Sequence, residues 1–232
     1  MVLPLHDDNP TENPPIVTVA LMVACVFVFI WQAMSGPGGE RIMYALGVIP
    51  AVLLGGRDLP PELVMVPPAA SIFTSMFLHS GLLHLISNML YLWVFGNNVE
   101  DAMGHGRFLV FYLLCGVAAV FAQAIPEPDS VVPMVGASGA ISGVLGAYML
   151  LYPHARVLLG LPIGFYVAQL GRFPAGWVLA LWFGMQLVSN MLSDPEVQGG
   201  VAFRAHIGGF VAGIVLLPLF KRRDVPYWRA RR

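Results

Sequence analysis

The chain reads as an all-α, polytopic membrane protein with a six-transmembrane-helix bundle, and three observations predict that class. Charged residues make up 11% of the 232 and apolar residues 57%, whereas a soluble domain carries about 25% charge. Mean hydropathy is +0.74. Six apolar segments, residues 16–34, 82–99, 108–124, 135–151, 175–192 and 202–220, match the roughly 17–25 residues a helix needs to cross a hydrocarbon core about 30 Å thick.

Taken in order, residues 1–15 form a short polar tail without a basic n-region, and no small-residue cleavage site closes the segment that follows. Segment 16–34 is therefore expected to be a retained helix rather than a cleaved signal. The connection over residues 36–80 is rich in Pro and Gly, and its apolar pieces are too short to span. It is expected to lie on or partly in one face of the membrane. Residues 157–170 are apolar but interrupted by Gly160, Pro162 and Gly164, which predicts an interfacial segment instead of a span. The organisation is one membrane domain over 16–220, with a tail at 1–15 and a basic tail at 221–232.

The net charge of −1, from 12 basic and 13 acidic residues, argues for no nucleic-acid partner. Cys25 and Cys115 lie within apolar runs, lack metal-ligand spacing, and read as small hydrophobes. Orientation follows from the basic residues, because positively charged loops resist translocation. With six spans, both termini share one side with Arg107, Arg156, Arg172, Lys221, Arg222, Arg223, Arg229, Arg231 and Arg232, and only Arg41, Arg57 and Arg204 face the other. That bias puts both termini in the cytoplasm, and a cell inner (plasma) membrane is the expected location.

This orientation makes four polar residues converge. His84 and Asn88 fall in the first two turns of the second segment, Ser138 at the head of the fourth, and His206 about one turn into the sixth. At about 1.5 Å per residue all four lie within roughly 10 Å of the outer ends of three parallel helices. A serine hydroxyl is a poor nucleophile until a base takes its proton, and histidine suits that work near neutrality. Ser138 and His206 fit that pair. His84 and Asn88, four apart, share one helix face, and with the free backbone N–H groups at the head of the fourth helix, including that of Ser138, they could hold an oxyanion.

Small residues at four-residue spacing, Gly139, Gly143 and Ala147 on one helix and Ala205, Gly209 and Gly213 on the other, let two backbones approach closely in lipid. The acidic residues lie in loops, tails or helix ends, so a Ser–His dyad without a third carboxylate is expected. Gly-Ala-Ser-Gly is weak taken alone, since Ala140 stands where a G-x-S-x-G elbow would have its second glycine. A lone intramembrane histidine is as often packing glue as chemistry, and joint occurrence at one depth is what carries the reading. His79 and His84 are five apart, without H-E-x-x-H, which argues against a metal. No cofactor is expected. His105 and His154 read as solvated, Glu100 as structural, and Trp31, Trp93, Trp177 and Trp182 as interface anchors or packing.

These residues resemble the rhomboid intramembrane serine proteases. The likeness covers roughly residues 73–220. It rests on HSGLLHLISN with His79, His84 and Asn88, on VEDAMG with Glu100, on GASG with Gly136, Ser138 and Gly139, and on AHIGGFVAG with His206 and Gly209. The resemblance implies a six-helix core with Ser138 as nucleophile and His206 as general base. It further implies an oxyanion hole of His84, Asn88 and the Ser138 backbone, a loop over 36–80 lying partly in the membrane, and a substrate gate and cap formed by the fifth helix and residues 193–204. Substrates would be single-pass or polytopic membrane proteins that reach the serine through the lipid bilayer. Two departures stand out: Ser142 occupies a position where members often carry an aromatic ring packed on the catalytic histidine, and residues 36–80 lack the Trp-Arg pair of many members. The competing class is a catalytically silent rhomboid-like protein that binds membrane proteins for quality control or trafficking; intact Ser138 and His206 argue against it.

Overall fold

A computed structural model describes residues 2–36, 38–164, 166–192 and 202–228. The chain opens with strand β1 (Leu3–Asp7) and helix α1 (Ile16–Met34). Helix α1 buries only Thr18, Leu21, Cys25 and Gln32, a single stripe, and leaves Val19, Val23, Phe27 and Ile30 exposed. Such a surface is stable facing lipid. The connection to the next long helix folds into α2 (Gly38–Leu46), α3 (Pro50–Leu53), a 3-10 turn, and α4 (Pro68–Thr74), and its Val48, Ile72 and Met76 bury a small cluster against Val120.

Helix α5 (Leu82–Tyr91) continues through a π turn at Leu92–Gly96 into α6 (Asn97–Met103), and Gly104, with φ +83°, ends it. Helix α7 (His105–Ala124) follows at once. Helix α8 (Ser138–Leu151) is the axis of the bundle: it is apolar all round and buries nearly every side chain between α7 and α10 (Phe203–Phe220). Strands β2 (Arg156–Ile163) and β3 (Tyr166–Pro174) intervene before α9 (Ala175–Leu192).

Glycines set the closeness of α8 and α10. A Cβ at Gly209 would overlap the Gly139 carbonyl oxygen, one at Gly213 that of Gly143, and one at Gly146 that of Phe210. The four-residue repeat seen in the sequence is therefore the seam between these helices.

One expectation needs correction. The fold is mostly helical but not all-α. The segment expected not to span over 157–170 contributes to β2 and β3, which pair antiparallel, and β1 adds to the edge in a sheet of order β1-β2-β3. Gly160, Pro162 and Gly164 defeat a helix there, whereas strand pairing still satisfies the backbone donors and acceptors. Residues 1–15 are accordingly more than a tail, since Asp8 N–H donates to the Arg156 carbonyl and Tyr148 donates to Asp7.

Among the described residues four helices are long and apolar enough to cross a membrane, namely α1, α7, α9 and α10, and a fifth counts if Pro61–Phe77 and Leu82–Met103, bent by 80°, make one span. Helix α8 has 14 residues because the chain just before it is tied down outside the helix: Met134 bridges to Val48, and Gly136, at φ +125°, donates to the Ser75 carbonyl at 2.9 Å.

His105, expected to be solvated, is exposed and also makes a polar contact. Its Nδ1 meets Glu100 Oε1 at 2.6 Å. Glu100 is 1% exposed and also accepts from the backbone of Val17 (2.9 Å) and Thr18 (2.7 Å) and from the Thr18 hydroxyl (2.7 Å). It thus caps the first turn of α1, whose N–H groups lack partners of their own, and fits the structural role expected of it. His154 is exposed.

Candidate active site

The site forms where α5, α8 and α10 begin. Ser138 is the first residue of α8, so its N–H and those of Gly139 and Ala140 have no acceptor within the helix; the first backward bond is Ile141 N–H to the Ala137 carbonyl, 3.0 Å. His206 stands one turn into α10, and its Nε2 lies 2.9 Å from Ser138 Oγ. Both side chains are half-buried, so the pair is neither sealed in nor surface-exposed. The glycine seam explains the contact, since larger residues would hold α8 and α10 too far apart for a direct bond.

Gly136 serves twice. Its φ of +125° is one that side-chain-bearing residues rarely adopt, and a Cβ there would sit 2.7 Å from His84 Cε1, 2.8 Å from His84 Nε2 and 3.7 Å from Ser138 Oγ. The His84 imidazole and the serine hydroxyl therefore border the same point. His84 Nδ1 faces away, towards the Ser80 hydroxyl at 3.0 Å and the Ser80 N–H at 3.4 Å. A backbone N–H can only donate, so Nδ1 accepts and the neutral ring carries its proton on Nε2. Asn88, one turn further along the same face, is buried, and its Nδ2 has no hydrogen-bond partner among the described residues. A buried donor of that kind is normally satisfied.

His79 is 2% exposed and supports the site from behind: its N–H donates to Gln32 Oε1 at 3.1 Å, and its ring meets His84 edge-on with centroids 5.2 Å apart. Ser142, also buried, donates to the Ser138 carbonyl at 2.6 Å and so braces the first turn of α8.

The ring absent at position 142 is supplied from elsewhere. Trp182 on α9 packs against His206, with ring centroids 6.0 Å apart and planes tilted by 37°, and against Phe210. Trp31, Trp93 and Trp177 are exposed on the apolar surface. Gln186, four residues after Trp182, places its Oε1 2.9 Å from His206 Nδ1. Sequence reasoning missed Gln186 and Ser80. The available signal for Gln186 was an amide one helical turn from a tryptophan in an otherwise apolar run. The cap expected over 193–204 lies outside the described residues up to 201, as do Arg229, Arg231 and Arg232 of the basic tail.

A serine hydroxyl hydrogen-bonded to an imidazole, with polar donors around it and apolar spanning helices on every side, defines a multi-pass membrane protein with an embedded polar site. The chain belongs to the rhomboid family: the Rhomboid domain matches residues 68–223. It is 33% identical over 194 residues to "Rhomboid protein 1, mitochondrial" of Saccharomyces cerevisiae, covering 76% of this chain and 52% of that protein. It is 35% identical over 145 residues to "Rhomboid protease GluP" of Bacillus subtilis, covering 62% of this chain and 25% of that protein. With "Rhomboid protease GlpG" of Salmonella choleraesuis it shares 27% over 202 residues, 86% of this chain and 61% of that protein. The chain thus spans between a quarter and three fifths of the length of these relatives.

Proposed function

We propose that this chain is an intramembrane serine endopeptidase that cleaves transmembrane segments of other membrane proteins with a Ser138–His206 dyad. The observation that carries the reading is the 2.9 Å contact between His206 Nε2 and Ser138 Oγ, which is within reach for proton transfer. In the first step Ser138 Oγ attacks a substrate carbonyl carbon while His206 Nε2 takes the hydroxyl proton. The carbonyl oxygen becomes an oxyanion, which receives hydrogen bonds from His84 Nε2–H, Asn88 Nδ2–H and the Ser138 N–H. The tetrahedral species collapses, the peptide C–N bond breaks, and His206 returns its proton to the leaving amine. Water, deprotonated by the same imidazole, then hydrolyses the serine ester.

The substrate is a membrane protein because only a peptide within the bilayer reaches this depth. Its helix must unwind first, so Gly, Pro or other weak helix formers near the cut favour cleavage. The membrane domain occupies 16–220 with six spans, Ser138–Leu151 being the short central one. The positive-inside bias supports cytoplasmic termini in a cell inner membrane. Helix α9 and residues 193–204 act as gate and cap.

The test is cleavage of a single-span reporter by the purified full chain in liposomes, beside Ser138→Ala and His206→Ala. Wild type alone should cut, and mass spectrometry should place the cut within the reporter's span. Equal turnover by either variant overturns the dyad. Absence of both cleavage and phosphonate labelling of Ser138 in wild type would favour a silent, substrate-binding member of the family.

A further inference from the structure

We propose that Gln186 on α9 is the positioning residue of the general base: its side-chain carbonyl accepts the Nδ1 proton of His206 and so holds the imidazole in the tautomer that can deprotonate Ser138. The inference rests on the dyad reading above. For Nε2 to accept the serine proton it must carry a lone pair, so in the neutral ring the proton must sit on Nδ1. A half-buried Nδ1–H set among apolar helices is best satisfied by an acceptor from the protein. Gln186 Oε1 stands 2.9 Å from it. Glu127, in the loop before α8, is engaged by Arg204.

The amide's identity has a physical reason. A carboxylate at this position would have to be taken out of water against only a transient imidazolium, whereas an amide costs far less to bury and still presents a carbonyl lone pair. The imidazole is thereby held on both sides. Trp182 lies one helical turn before Gln186 on the same face of α9, and its ring packs against that of His206 with centroids 6.0 Å apart. Amide and indole together restrict both the rotation and the tilt of the base. The opposite arrangement, with an N–H aimed at Nδ1, would move the imidazole proton to Nε2 and disarm the pair.

One consequence concerns α9 itself. Only Ala175 and Leu179 of that helix are fully buried, so it is lightly held along most of its length, and the polar contact that orients the base is carried on that lightly held helix. Orientation of His206 is therefore tied to the position of α9, and a displacement of α9 that parts Gln186 from His206 leaves the dyad without its tautomer control.

The experiment compares wild type, Gln186→Met, Gln186→Glu and Ser138→Ala, all as full-length protein in liposomes with one single-span reporter. Met keeps the length and packing of the side chain and removes the acceptor; Glu keeps an acceptor. Gln186→Met should lower kcat by about 10²-fold, the size expected when a reacting group loses its alignment, with KM within about twofold of wild type and an unchanged thermal unfolding midpoint. Gln186→Glu, whose carboxylate restores an acceptor but costs more to hold out of water, should recover part of kcat. If Gln186→Met turns over like wild type while Ser138→Ala is dead, the positioning role is wrong and the dyad stands. Equal loss in Gln186→Met and Gln186→Glu, or a loss matched by a lowered unfolding midpoint, reduces Gln186 to packing and likewise overturns the proposal. Undiminished cleavage by Ser138→Ala would instead remove the dyad reading on which it rests.

Discussion

Gly209 lies directly over the carbonyl of Gly139: a methyl group at 209 would overlap that oxygen. Backbone against backbone at this point is what lets an imidazole on α10 reach a hydroxyl on α8. Gly209→Ala should therefore push the helices apart, costing about 1–3 kcal/mol of stability as over-packing does, and should lower cleavage by about 10²-fold or more through the misplaced base. Calorimetric unfolding in detergent and reporter cleavage measure the two effects separately. Full activity in a folded Gly209→Ala protein would show that the seam does not set the Ser138–His206 distance.

Ser80 addresses the other histidine. Through its hydroxyl and its N–H it holds His84 Nδ1 as an acceptor, which directs the Nε2 proton towards the Ser138 side. Loss of one oxyanion donor costs about 10²–10³ in rate. Ser80→Ala keeps the donor and loosens its aim, so a smaller fall in kcat, about 10-fold, is expected, with KM unchanged. Steady-state kinetics on the reporter decide it, and an unaltered kcat would remove Ser80 from the site.

Glu100 ties two distant parts of the chain together by accepting from Val17, Thr18 and His105. Removing it strands buried donors at the start of α1. Glu100→Ala should destabilise by about 3 kcal/mol, as expected when one partner of a buried charged network is deleted. Glu100→Gln, which keeps an acceptor oxygen, should lose less. Urea titrations of the three proteins in micelles test the order.

Asp7 provides a pH signature outside the spans. Burial raises its carboxyl from the usual value of 3.8 to about 6, partly opposed by the hydrogen bond from Tyr148. Because the folded value exceeds the unfolded one, the folded state binds more protons between pH 4 and 6, and stability falls as pH rises through that window. Two pH units correspond to at most about 3 kcal/mol. Asp7→Asn should flatten the stability profile there, which thermal unfolding midpoints at pH 4, 5, 6 and 7 would register. A wild-type midpoint that rises steadily across the same range contradicts this account.

How far the sequence could be read depended on the range of the interaction. Ser138, His206, His84 and Asn88 were legible because helix periodicity and span direction are local properties, and together they put those residues at one depth. The glycine repeats were legible for the same reason. The β1–β2 pairing was not, since Leu3 meets Gly160 across most of the chain and no local pattern names a strand's partner. Ser138 was placed in the first turn of α8, but the segment was begun at residue 135 because the hold of Val48 and Ser75 on the run before the helix is not visible locally. Nor could apolar periodicity in α9 reveal that Trp182 and Gln186 face His206.

Composition and spacing alone determined that this is a polytopic membrane protein with a serine and two histidines near one end of its helices, because hydrophobic length and the 3.6-residue period are written residue by residue, and the rhomboid likeness was carried by the motifs around those residues. Tertiary structure alone decided that His206 reaches Ser138, that Gln186 and Trp182 stand behind the imidazole, and that the N-terminus closes a sheet. Those outcomes depend on how closely separate helices and strands pack, a quantity set jointly by residues far apart in the chain.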